Sequence, residues 1–323
     1  MDPATFSSPE WNALPVADKA RQLYEAGKQA AQHGEHDTAH AYFGQSLNLC
    51  RGLDDKRGIA RALVAQASLV GWVRGDFGFE RRQVLAKEAL ALFREIGDKP
   101  GMASALRQLA SVAATAEAEH ILNQGLALSE EAGDKPGIAA ALSHLGNAAS
   151  AAQDKPRACE LLARAVGLYR AMGDKPGLAP ALTVQALATD GEEFRKACLE
   201  EALTLHRELG NTGAVGRTLT MLAGLVYPDD ADPRNEPYLV EALAIERERG
   251  NAMAEAQCLK RLAQIARARG NREQADALDA QSAATYTIPE PDPELIAALE
   301  SGNSDTARER MLALFQSSRQ RTS

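Results

Sequence analysis

The chain has 323 residues, of which 45% are hydrophobic and only 5% aromatic, and its net charge is −8. That balance supplies a core and argues against disorder, while the dominance of Ala and Leu over β-branched runs argues against a sheet-based fold. The negative charge disfavours non-specific binding to nucleic acid or to an anionic membrane, and no stretch reaches the roughly 18 apolar residues of a membrane span.

Residues 1–15 read as an N-terminal extension. Their start, Met1-Asp2-Pro3-Ala4-Thr5-Phe6, lacks the basic segment and apolar core of a secretory signal. Four widely spaced cysteines (Cys50, Cys159, Cys198 and Cys258) sit inside helical patterns without any Cys-x-x-Cys pair, which suits a reducing cytoplasm. A cytoplasmic location is therefore expected.

From residue 16 the apolar residues recur at spacings of three and four in paired stretches, the pattern of amphipathic helices. The first pair carries Leu23 and Gly27, then Ala39 and Phe43. His33, His36 and His40 flank its turn, and His36 and His40 share a helix face at a spacing that zinc sites use. The stretch reads as a packed or solvated turn, and neither a metal nor any cofactor is expected. In the second pair, residues 71–80 lengthen the internal turn and place Trp72 between Gly71 and Gly75. That Trp reads either as an interface anchor or as a residue buried against Phe77 and Phe79.

A phrase then returns: Gly97-Asp98-Lys99-Pro100-Gly101, Gly133-Asp134-Lys135-Pro136-Gly137 and Gly173-Asp174-Lys175-Pro176-Gly177, with weaker copies at Gly210-Asn211 and Gly250-Asn251. The five leading glycines lie 36, 40, 37 and 40 residues apart, a period that marks a repeat array. Each phrase has the parts of a boundary between helices. Gly ends one helix in a left-handed conformation, Asp or Asn caps the next, and Pro occupies its first turn. Residues 228–237 lengthen the turn of the sixth pair; their acidic residues lack the glycine and the twelfth-position acid of an EF-hand.

Within these units the residues resemble the tetratricopeptide family. Leu142, Leu145 and Gly146 are similar to the Trp-x-x-Leu-Gly stretch of its first helix, and Ala158, Leu162 and Ala165 to the small–bulky–small pattern of its second. The resemblance covers residues 16–287 in seven hairpins, with a longer period than the usual 34. It is similar to the long-repeat subgroup that includes the Leu-Gly-Asn repeat proteins, and it also resembles the sensor arrays of bacterial signalling ATPases and LuxR-type regulators. No ATPase or helix-turn-helix module accompanies it here. The implied fold is all-α, a right-handed superhelical solenoid of antiparallel helix pairs. After it come a Pro-rich linker at 288–293 and a short hairpin and tail at 294–323, which read as a cap or as an internal regulator of the groove.

No phosphate loop, Gly-x-Ser-x-Gly or recognisable Cys/His nucleophile signature is present, so no enzyme is expected. Counting from the core positions of the unit at 138 puts Ser143, His144 and Asn147 on the opposite face, which in tetratricopeptide folds lines the concave groove. The same register through the other units gives the candidate peptide-binding surface: Arg21, Tyr24, Lys28, Arg61, Trp72, Arg107, Gln108, His144, Asn147, Arg217, Lys260 and Arg261. This face is basic in an acidic chain, with Glu25 and Asp190 as its few acids. The expected partner is therefore a protein or an extended, acidic peptide held by a non-catalytic scaffold. The alternative is a sensory or regulatory module of a bacterial signalling system, with the C-terminal hairpin as its switch.

Overall fold

The computed structural model describes residues 8–70, 78–113 and 115–286, together with Glu294 and Ala297. Trp72 and its turn lie outside the described residues, as does the expected terminal hairpin apart from those two positions. The described residues fall into two compact units, divided between Ile245 and Glu246.

The first unit opens with the short helix α1 (Pro9–Ala13). Antiparallel pairs follow: α2 (Val16–Gln32) with α3 (His36–Gly52), α4 (Lys56–Leu69) with α5 (Phe79–Glu95), and α6 (Lys99–Ala110) with α7 (Thr115–Ala132). Next come α8 (Lys135–Ala151) with α9 (Lys155–Met172), and α10 (Lys175–Ala188) with α11 (Glu192–Glu208). A sixth pair joins α12 (Thr212–Met221), continued by a π-helical turn at Leu222–Val226, to α13 (Glu236–Glu248), whose last residues fall in the second unit. The second unit contains the pair α14 (Ala252–Ala268) and α15 (Arg272–Thr285). Among the described residues there is no β-strand.

The repeated phrase is what divides the helices. Gly97, Gly133, Gly173, Gly210 and Gly250 all adopt φ between 64° and 69°, a left-handed conformation that side chains resist. The caps then act on the following helix: Asp55, Asp98 and Asp174 each accept from the backbone N–H three residues on at 3.0 Å. Asn211 does the same for Ala214 at 3.0 Å. The lysine of the phrase has a separate task. Lys99 pairs with Glu131 at 2.9 Å and Lys175 with Glu208 at 3.0 Å, and Lys56 pairs with Glu95. Each tie joins the start of one helix to the end of its hairpin partner.

Packing between successive hairpins depends on small residues at fixed places. Five residues after the Asp caps stands an alanine with almost no exposure (Ala60, Ala103, Ala139 and Ala179), and after the Asn211 cap the buried Gly216, so neighbouring first helices approach closely. Three residues further on, Leu63, Leu106, Leu142, Leu182 and Leu219 fill the core, all at 5% exposure or less. On the second-helix layer Arg51, Arg170 and Arg207 reach Glu88, Glu201 and Glu241 of the next hairpin. These exposed pairs set register more than stability. Arg195 ties the fifth hairpin to the sixth, donating to the carbonyls of Ala186, Thr189 and Leu225 at 3.2, 2.5 and 2.6 Å.

Candidate functional site

Because the caps, alanines and leucines recur at fixed offsets, equivalent side chains of α2, α4 and α6 come to lie side by side on the face opposite the core. Two clefts open there. The first, of about 230 Å³, is lined by Arg21 and Tyr24 of α2, Cys50 of α3, and Asp55, Gly58 and Arg61 of α4. The second, of about 480 Å³, is lined by Tyr24, Arg61 and Val64 on one side and by Phe93, Gly101 and Ser104 on the other.

Arg61 stands between them. Its guanidinium carbon lies 4.4 Å above the Tyr24 ring, and that ring leans on Phe43 with centroids 5.4 Å apart. Stacking leaves the N–H edge of a guanidinium available for a planar acceptor. Its ion pair with Glu25 is long, at 3.7 Å, and both side chains are about half exposed. Arg61 is therefore held in orientation without being saturated.

The other expected groove residues divide into groups. Arg21 pairs with Asp18, and Lys28 with Glu25 at 2.9 Å, both one turn away on α2. The face is thus less basic than a count of its charges implies, because the acids that neutralise it lie three residues upstream. Arg107 of α6 is half-buried; burial lowers its pKa first, while Tyr169 and Asp134 oppose that. It donates to Ser104 Oγ at 3.1 Å. His144 and Asn147 of α8 are exposed, and Gln108 of α6 is half-buried. Arg217 is exposed on α12. Lys260 and Arg261 lie on α14 in the second unit, the former exposed and the latter half-buried.

The periodicity alone hides a further set of residues. Cys50, Phe93, Ser129, Tyr169 and His206 each stand five residues before a cap, in the last turn of a second helix, and each is no more than 8% exposed. The first two form the floors of the clefts. Four of the five lie against a glycine eight residues on, and His206 is followed there by Ala214: a Cβ on Gly101 would sit 2.3 Å from the Phe93 ring, and one on Gly177 2.2 Å from the Tyr169 ring. The available signal was a fixed place before each cap with changing chemistry.

Among the described residues no group of three His, Cys, Asp or Glu side chains is placed to hold a metal ion. No helix among them is long and apolar enough to cross a membrane.

No protein-family model and no curated protein matches the sequence. The fold does have solved counterparts. The chain is similar to a Rap protein complexed with competence and sporulation factor, at 14% identity and a TM-score of 0.59, over 85% of this chain and 77% of that one. It is also similar to a signal transduction ATPase with numerous domains, carrying a tetratricopeptide repeat sensor, from Pyrococcus horikoshii. That match has 14% identity and a TM-score of 0.58, over 82% of this chain and 43% of that one. BtubC (BKLC) from P. vanneervenii matches at 18% identity and a TM-score of 0.56, over 67% of this chain and 95% of that one. At these identities the likeness is one of fold: an all-α helical-repeat solenoid of the tetratricopeptide-like kind.

Proposed function

We propose that this chain is a non-catalytic interaction module whose first three hairpins bind an extended peptide segment carrying an acidic side chain. The observation that carries the reading is Arg61, stacked on Tyr24 between two clefts, with its nearest carboxylate at 3.7 Å. A carboxylate arriving there meets the free edge of a guanidinium fixed in advance, which lowers the ordering cost of a bidentate contact. The adjoining clefts accept the side chains on either side of it. Two proteins of the same fold are a Rap protein complexed with competence and sporulation factor and a signal transduction ATPase with a tetratricopeptide repeat sensor, and a comparable role is proposed here.

The test is charge reversal. Partners captured from a cell extract on the immobilised chain are compared with those captured on Arg61→Glu. The reading expects the main partner to be lost on the variant, with the largest difference at low salt, where charge pairing is least screened. Equal capture at low salt on both proteins would overturn it.

A further inference from the structure

The two clefts are one construction displaced by a hairpin. Cys50 and Phe93 are their floors, Gly58 and Gly101 the bare backbone behind, and Arg61 is far wall to the first and near wall to the second. Around this position the repeat is nearly constant, with the same leucine in each unit and a small residue, Ala or Gly, three places before it. The position itself changes chemistry at every step, from Cys50 and Phe93 in the two clefts through Ser129 and Tyr169 to His206.

A position that only filled space would be apolar throughout. Here Ser129 Oγ and His206 Nδ1 are buried with no hydrogen-bond partner among the described residues, at 0% and 8% exposure. An unpaired buried polar group is unfavourable by about 1–3 kcal/mol. Stability alone does not select Ser or His at these two places.

We propose that these floor residues are the specificity-determining positions of the groove, one per hairpin, and that they read every third residue of an extended peptide. The inference rests on the groove reading above. Packed helices lie about 8–10 Å apart and an extended chain advances about 3.3 Å per residue, so one step along the hairpins equals about three ligand residues. The peptide then has an acidic residue at Arg61, an apolar one over Phe93, and hydrogen-bonding side chains toward Ser129 and His206.

The experiment selects a random peptide library of about fifteen residues, the length of five such steps, on the full chain and on single variants. Phe93→Ser changes the floor most. Phe93→Tyr is the second variant, because Tyr already occupies the equivalent place at 169 against a glycine. Preferences spaced by three are expected, with each variant altering one preference by roughly tenfold and leaving the others. If selected peptides depend on Arg61 but their preferences lack that spacing, or are unmoved by both variants, the register is wrong and the groove stands. If no peptide is enriched, or selected peptides bind Arg61→Glu equally well, the groove reading itself fails and the register falls with it.

Discussion

Gly34, in the turn between α2 and α3, lies against Asn211, the cap of α12, although 177 residues separate them. A Cβ on Gly34 would be 3.0 Å from Asn211 Oδ1, and one on Gly210 would be 3.8 Å from His33 Cδ2. Both turns belong to the first unit, so its stacked hairpins curve far enough for the first to meet the start of the sixth. Gly34 has φ +81° and Gly97 has φ +69°, yet nothing surrounds Gly97. Gly97→Ala therefore reports left-handed strain alone, about 1–2 kcal/mol. Gly34→Ala is expected to lose about 1 kcal/mol more, because the new methyl displaces an Asn engaged in capping. Urea unfolding of the two variants measures the difference, and equal losses would show that the turns do not meet in solution.

The contact between Phe93 and Gly101 gives a second prediction. Gly101→Ala pushes a methyl into a buried ring and is expected to destabilise by about 1–3 kcal/mol, as overpacked cores do. Phe93→Leu on that background should recover part of the loss. The four-member cycle then shows a coupling of 0.5 kcal/mol or more, the range for residues in contact, while additive effects would contradict the packing described.

His206 predicts a pH dependence. Burial, and next the Arg217 charge, lower its pKa to about 4, against about 6.5 in an unfolded chain. Below about pH 6.5 the unfolded chain gains a proton that the folded one refuses. The stability tied to this residue is thus complete above pH 6.5 and is lost as pH falls toward 4, on the order of 3 kcal/mol across the window. His206→Leu removes that slope. Unfolding midpoints at about pH 7 and about pH 4.5 should fall less in the variant than in the parent, and an equal fall would refute the assignment.

Much of this fold is legible in sequence because its determinants are local. A glycine at a left-handed turn, an Asp or Asn three residues before the amide it caps, and an alanine at a helix crossing each act within a few residues, and the repeat restates them. The meeting of Gly34 with Asn211 is not legible, because it sums small rotations over five hairpins. Arg21, Tyr24 and Arg61 line adjoining clefts, as the helical register implies, and Asp18 and Glu25 lie at a spacing that pairs them with Arg21 and Lys28. The floor residues escaped because burial makes Cys50 and Phe93 look like ordinary core; only their fixed offset with changing chemistry marks them. Trp72 stands outside the described residues.

Arg61 should matter for recognition and little for folding. Its ion pair is long and half exposed, so Arg61→Ala is expected to change unfolding free energy by under about 1 kcal/mol. The same substitution should weaken partner binding by roughly tenfold or more, as loss of an interface anchor does. A large loss of stability with unchanged binding would reverse the roles assigned here.

The most direct test of the groove is site-specific photo-crosslinking. A photoreactive residue replaces Val64, in the second cleft, or Val84, which is 62% exposed on α5, and adducts formed in cell extract are mapped by mass spectrometry. The account predicts that position 64 captures an extended, acidic segment of a partner, that position 84 does not, and that Arg61→Glu abolishes the adduct. Capture from position 84 alone, or an adduct at 64 that survives Arg61→Glu unchanged, would contradict it.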